Sequence, residues 1–189
     1  TVVIGRQTGG QTRTRDRVKD EKVHVVIRLA DVVSPWTIGR YTSPSDAQKH
    51  SATTAKADLA WCKSAGKEYL PVIFPGFSWR NMNIGGRADA TLGQIPRRKG
   101  EFLWSQAVAN RRIGVNMLYV AMFDEIDEAT AIFKCTNNPP VGASKFLTYE
   151  GLPSDHYLWL TGQIRRLLRG EIPAGDDIPK RTVAKTRRN

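Results

Sequence analysis

Short apolar runs alternate with longer amphipathic stretches along this chain of 189 residues. Val2-Val3-Ile4 is a β-branched run that stops at Gly5, the pattern of a strand. Residues 23–29 carry an apolar pattern that fits either a helix or a strand. Asp31-Val32-Val33 predicts a short strand closed by Ser34-Pro35. Residues 44–65 then read as a helix. Ser43 suits its N-cap, Pro44 its first position and Gly66 its C-cap, with Ala47, Ala57, Leu59, Ala60 and Trp61 as its apolar face. Residues 69–74 are continuously apolar, as a strand covered on both faces would be, but Pro71 removes a ladder donor. A long stretch rich in Gly, Asn and Arg follows, residues 75–98. Residues 101–112 predict a helix closed by Gly114, and residues 117–123 are the strongest strand pattern of the chain. After the breakers Asn137-Asn138-Pro139-Pro140, residues 146–149 predict one more short strand. Residues 155–169 predict the last helix, capped by Ser154 or Asp155 and ended by Gly170.

Strand, loop and helix in repetition mark βαβ units and a parallel sheet, so the expected fold class is α/β. Two arrangements fit: an open doubly wound sheet, or the later part of a (β/α)8 (TIM) barrel. A complete barrel typically takes about 250 residues, so the barrel reading is of a partial one. The expected organisation is a single domain over residues 1–170 and a basic C-terminal tail over residues 171–189.

Composition narrows the function classes. No apolar run approaches the length that crosses a bilayer, so a membrane partner is not expected. Cys62 and Cys135 are too few for a disulfide scaffold, and Cys62 beside Trp61 reads as reduced core packing. The net charge of +11 raises nucleic acid as a partner. Much of that charge lies near the chain ends and in the run Arg97-Arg98-Lys99, which favours solvated segments over a nucleic-acid surface. The chain starts at Thr1 and shows no secretory signal pattern.

Both arrangements place an active site at the carboxyl ends of the strands. Trp36, Arg40 and Tyr41 follow the second strand, and Phe77, Ser78, Trp79, Arg80 and Asn81 the third. Asp124, Glu125, Asp127 and Glu128 follow the fourth, and Tyr149 and Glu150 the fifth. Aromatic faces with Arg, Asn and carboxylates suit a polyhydroxylated ligand such as an oligosaccharide or polysaccharide. Cleavage of a glycosidic bond needs a proton donor and a second carboxylate, and the acidic run 124–128 offers both at a strand end. A solvated acidic turn is the competing reading of that run. Metal chemistry finds little support: EF-hand spacing is absent, and His24, His50 and His156 have no ligand spacing. No cofactor is expected.

Five stretches, taken together and in order, carry a resemblance: residues 34–41 (SPWTIGRY), 70–81 (LPVIFPGFSWRN), 96–104 (PRRKGEFLW), 117–134 (MLYVAMFDEIDEATAIFK) and 148–162 (TYEGLPSDHYLWLTG). They resemble the bacterial 71/99-like glycoside hydrolases, related to endo-α-mannosidases and α-1,3-glucanases. The resemblance implies the carboxyl-terminal half of a (β/α)8 barrel, action on α-linked glycans and a secreted or periplasmic setting. It implies that Glu125 and Glu128 form the family's Glu-x-x-Glu pair, with Glu128 as general acid/base. Glu125 would assist the sugar's 2-hydroxyl, which attacks the anomeric carbon. Trp36, Arg40, Tyr41, Trp79, Arg80, Asn81, Asp124, Tyr149 and Glu150 are the expected substrate-binding residues. Ile126 and Asp127 stand where the mannosidases carry aromatic or imidazole groups, which leaves the sugar open. A non-catalytic carbohydrate-binding protein or truncated remnant is the first alternative, and a basic nucleic-acid-binding protein the second. An incomplete barrel bares its strand edges and calls for a homo-oligomer.

Overall fold

The computed structural model describes residues 3–4, 21–82, 91–140, 142 and 144–181. Strand β1 (Val3–Ile4) precedes helix α1 (Glu21–Ile27), so the ambiguous run over residues 23–29 is helical for most of its length. Strand β2 (Val32–Val33) pairs in parallel with β1, Val3 opposite Val32. It stops at Ser34-Pro35, as the sequence predicts.

The predicted helix over residues 44–65 forms in three pieces. Helix α2 (Pro44–His50) is followed by a π-helical turn (Ser51–Ala55) and helix α3 (Lys56–Ser64). The Ser43 hydroxyl accepts the Asp46 N–H at 3.1 Å and satisfies one of the orphan donors at the helix start. Gly66 takes φ +63°, as a C-terminal cap requires. The buried line differs from the expected one. Ala47, Ser51, Ala55, Asp58 and Cys62 face inward, whereas Ala57 and Ala60 are exposed. These five stand four, four, three and four residues apart, on one helical face, and that face is made of small and polar residues that composition does not single out.

Pro71 divides the apolar run. Strand β3 (Glu68–Tyr69) pairs with β2, and strand β4 (Val72–Ile73) pairs with strand β5 (Tyr119–Val120), both in parallel. The Leu70 N–H reaches back to Val33 O, while Pro71 O accepts the Tyr119 N–H at 3.0 Å. One extended segment therefore serves its two neighbours in succession. The spatial order follows the sequence, with no reversal among the described strands, whereas a doubly wound sheet reverses at a switch point. The order is barrel-like; the described residues form short parallel sheets and not a closed ring.

Helix α4 (Glu101–Arg112) is buried along residues 102–110. Helix α5 (His156–Leu168) packs against it, and Leu103, Trp104 and Val108 meet Tyr157, Leu160 and Ile164 in the main core together with Ile73. Cys62 is buried in a second cluster with Val33, Ala55 and Tyr69. No helix among the described residues is long and apolar enough to cross a membrane.

Two expectations are corrected. The strand pattern over 117–123 shortens to Tyr119–Val120, because the Met122 N–H turns to Thr130 O and Phe123 O accepts from Ile132 and Phe133. Residues 146–149 form no strand. The Tyr149 N–H is taken by the Asn137 side chain at 3.0 Å, and the same amide holds Gly151 N and Leu152 O. The described part of the expected tail, residues 171–181, is packed on the domain. Ile172, Ala174 and Ile178 lie on the main core, and Trp104 Nε1 donates to Gly175 O at 3.0 Å.

Candidate functional site

The rim at the carboxyl ends of β2, β4 and β5 is made of three loops bonded to one another. The β2 loop is anchored by Thr37, a buried residue whose hydroxyl donates to Val72 O. Phe74, just after β4, has both backbone groups taken by one side chain. Gln106 Oε1 accepts its N–H at 3.1 Å, and Gln106 Nε2 donates to its carbonyl at 2.7 Å. The β4 ladder therefore ends on α4, and the chain is freed to turn outward. Gln106 Oε1 also accepts the Tyr41 hydroxyl at 3.0 Å, so the buried amide fixes two loops at once.

Beyond Phe74 the loop pairs with itself through Phe77 and Ile95. Gly76 crosses this point with no room for a side chain: a Cβ there would stand 2.7 Å from Arg97 Cγ and 2.8 Å from Ile95 O. The Ser78 N–H donates to Glu128 O at 2.8 Å, which joins the β4 loop to the acidic loop. Ser78 Oγ in turn accepts the Gly93 N–H at 3.1 Å. Trp79 follows, edge-on to Phe77, with its ring 3.7 Å from where a Cβ on Gly39 of the β2 loop would lie.

The acidic loop closes on its own backbone. Glu125 O accepts the N–H groups of Thr130 and Ala131 at 3.1 and 3.0 Å, and Ala129 takes φ +59° to complete the turn. This closure sends the side chains of Asp124, Glu125 and Asp127 into solvent and leaves Glu128 half-buried beside Ser78. Burial raises the Glu128 pKa above the usual carboxylate value, and the Glu125 and Asp127 carboxylates raise it further.

The expected substrate residues separate into two groups. Trp36 (47% exposed), Trp79, Arg80, Asn81, Asp124, Glu125 and Glu128 lie on the three loops and keep surface open to solvent, as does Arg40. Asn81 Nδ2 reaches Lys145 O at 2.9 Å and ties the rim to the segment before Tyr149. Tyr41 and Tyr149 are instead core residues, which corrects the expectation of an open aromatic platform at those positions. Tyr41 packs on Phe74, Phe102 and His50. Tyr149 is 1% exposed, and its hydroxyl donates to the carbonyls of Ala131 and Phe133. The Glu150 carboxylate accepts the Lys99 N–H at 2.6 Å, at the turn that leads into α4.

Three residues of structural weight have only faint sequence signals. Gln106 is a polar residue inside an apolar helix face. Ser78 follows the strand end but is one of several polar residues there. Arg97 belongs to a basic run and is nevertheless buried against the rings of Tyr149 and Tyr157, at 4.9 and 4.6 Å, with Nη2 on Ala131 O at 2.8 Å. His156 is also buried, bonded to Lys99 O at 3.1 Å; burial lowers its pKa. Among the described residues no group of three or more His, Cys, Asp or Glu side chains is placed to hold a metal ion.

No family model and no curated protein sequence matches the chain. Among solved structures it is similar to the GH99 endo-α-mannosidase from Bacteroides thetaiotaomicron in complex with BIS-TRIS-propane. The TM-score is 0.58 at 18% identity, covering 80% of this chain and 46% of that one. A further structure of the GH99 endo-α-mannosidase from the same organism gives a TM-score of 0.59 at 20% identity, with 75% and 39% covered. At these identities the likeness is one of fold, and the chain spans less than half the length of either neighbour.

Proposed function

We propose that this chain carries the carboxylate-bearing part of a glycoside-hydrolase-like site for α-linked glycans, with Glu125 and Glu128 as the reacting pair. One observation carries the reading: Glu128 is a half-buried carboxyl with a raised pKa at the carboxyl end of a parallel strand, in a fold like that of the GH99 endo-α-mannosidases. A glycosidase acid must hold its proton until the leaving oxygen takes it, which burial and neighbouring carboxylates favour. Glu128 donates that proton. Glu125 accepts the proton of the sugar's 2-hydroxyl, whose oxygen bonds to the anomeric carbon as the bond to the leaving oxygen breaks. Water then reverses these steps, with Glu128 taking its proton. Trp36 and Trp79 cover the C–H face of the sugar, and Arg40, Arg80, Asn81 and Asp124 bind its hydroxyls. Tyr41, Tyr149 and Glu150 act from behind the rim as positioning residues.

The test is a panel of α-linked oligosaccharides and aryl α-glycosides. Glu128→Gln is expected to lower turnover of natural substrates by about 10²–10⁴-fold, while substrate affinity persists and activated aryl substrates are partly rescued. Glu125→Gln is expected to lose turnover on both substrate types. Full activity in both variants would overturn the assignment. A binding-only reading is favoured by the open rim, where Asp124 and Glu125 are exposed and nearly half of Trp36 meets solvent. Saturable oligosaccharide binding without hydrolysis by the unaltered protein would establish it.

A further inference from the structure

The described residues form four successive βα units: β1 with α1, β2 with α2 and α3, β3/β4 with α4, and β5 with α5. Every ladder between them is parallel. Among the described residues the two outermost strands are each paired on one side only, β1 with β2 and β5 with β4. In β5 and the residue after it, the N–H groups of Tyr119 and Ala121 go to Pro71 O and Ile73 O of the neighbouring strand. Backbone groups alternate along a strand, so those of Val120 point the other way, where no strand stands among the described residues. Exposed apolar side chains gather at the same two ends. Among the described residues seven large ones stand exposed: Val25, Val26 and Leu29 belong to the first unit, Tyr119, Phe123 and Ile126 to the last, and Trp36 lies between.

We propose that the sheet is closed by a second copy of this chain, related by a two-fold axis along the strands, with β5 of each copy pairing in parallel with β1 of the other. The proposal rests on the barrel-type reading of the fold and not on hydrolysis. A two-fold axis parallel to the strands preserves their direction, so the new ladders are parallel like the existing ones. Four units from each copy make eight, the number that closes a barrel around a filled interior. The same rotation brings the apolar first unit of one copy to the apolar last unit of the other, twice over, and leaves neither edge bare. An edge-to-edge contact of two β5 strands would be antiparallel and would leave both β1 edges open. The closed assembly places two acidic loops around one mouth, so each rim is completed by its partner.

Light scattering on the full chain reads the assembly directly. The expected mass is twice that of the chain. Association should tighten as salt rises, because each copy carries +11. Val120→Pro removes a donor that points to the open edge and leaves the bonds to β4 in place. Leu29→Lys puts a charge on the turn just after α1, where Leu29 is 72% exposed. Each variant should weaken association by about tenfold or more, with an unchanged far-UV circular dichroism spectrum for Leu29→Lys. A monomer at the highest soluble concentration, an open series of larger species, or a dimer indifferent to Leu29→Lys would overturn the proposal. None of these readouts involves substrate, so a failed dimer and a failed hydrolase are told apart.

Discussion

At the scale of single residues, two titratable groups pull stability in opposite directions with pH. His50 packs against Tyr41, and burial together with Arg40 lowers its pKa from 6.5 to about 4. The unfolded chain takes up that proton near 6.5 and the folded one only near 4. The stability it contributes is complete above 6.5 and is lost as pH falls between these values, by up to ~3 kcal/mol. The Glu128 pKa is raised, so its effect runs the other way: stability is lost as pH rises from 4.5 through the folded value. His50→Gln should therefore flatten the acid side of a melting-temperature profile. Glu128→Gln should melt higher than the unaltered protein at pH 7 and show no advantage below pH 4.5. Equal profiles for all three proteins would contradict these environments. The Glu128 environment is partly legible in the sequence, because four carboxylates in five positions must crowd one another. The Arg97 environment is not: nothing in Arg97-Arg98-Lys99 tells which of the three enters the core. That is decided by Tyr149 and Tyr157, some fifty to sixty residues away, whose rings shelter the guanidinium.

At the scale of elements, local chemistry marks where helices begin and end, and neighbours decide how far strands run. Ser43, Pro44 and Gly66 announce the limits of the 44–65 helix because each acts on adjacent backbone. Ser43→Ala removes the acceptor for Asp46 N and should cost about 1 kcal/mol, measured by urea denaturation. Ser43→Asp should restore most of it, and a loss under a few tenths would show the cap to be idle. Strand lengths are less legible. Residues 117–123 and 146–149 have strand-like side chains, yet their backbone groups find loop carbonyls and the Asn137 amide before they find a ladder. Such competitors lie far off in sequence, and apolar patterning does not reveal them.

For the whole molecule, the order of elements was legible, whereas the contacts made by residues 171–181 were not. Residues 171–181 are polar enough to read as a solvated tail, but Arg112 holds Ala174 O and Asp176, and Arg181 meets Asp155 at 2.7 Å. Ile172 and Ile178 add apolar cover to α4 and α5. Truncation after Gly170 should remove about 3 kcal/mol and lower the melting temperature by roughly 6–12 °C, read by calorimetry. An unchanged transition would return this segment to the status of a tail. The parallel arrangement itself was readable because each strand is followed by its own helix, which forces the chain back to the same end of the sheet.

That sequential order bears on how the chain is made. Among the described strands each emerges from the ribosome after the neighbour it will join, β1 before β2 and β4 before β5. Within one copy each described strand joins the strand made just before it, so the sheet can grow by one unit at a time during synthesis. The growing edge is bare at every stage and advances with each addition, which makes the nascent sheet a template for unwanted pairing until the next helix and strand arrive. Pro71 sits in the middle of that path. It splits the third addition into a half that completes the earlier strands and a half that waits for Tyr119, so elongation pauses there would expose Val72 and Ile73.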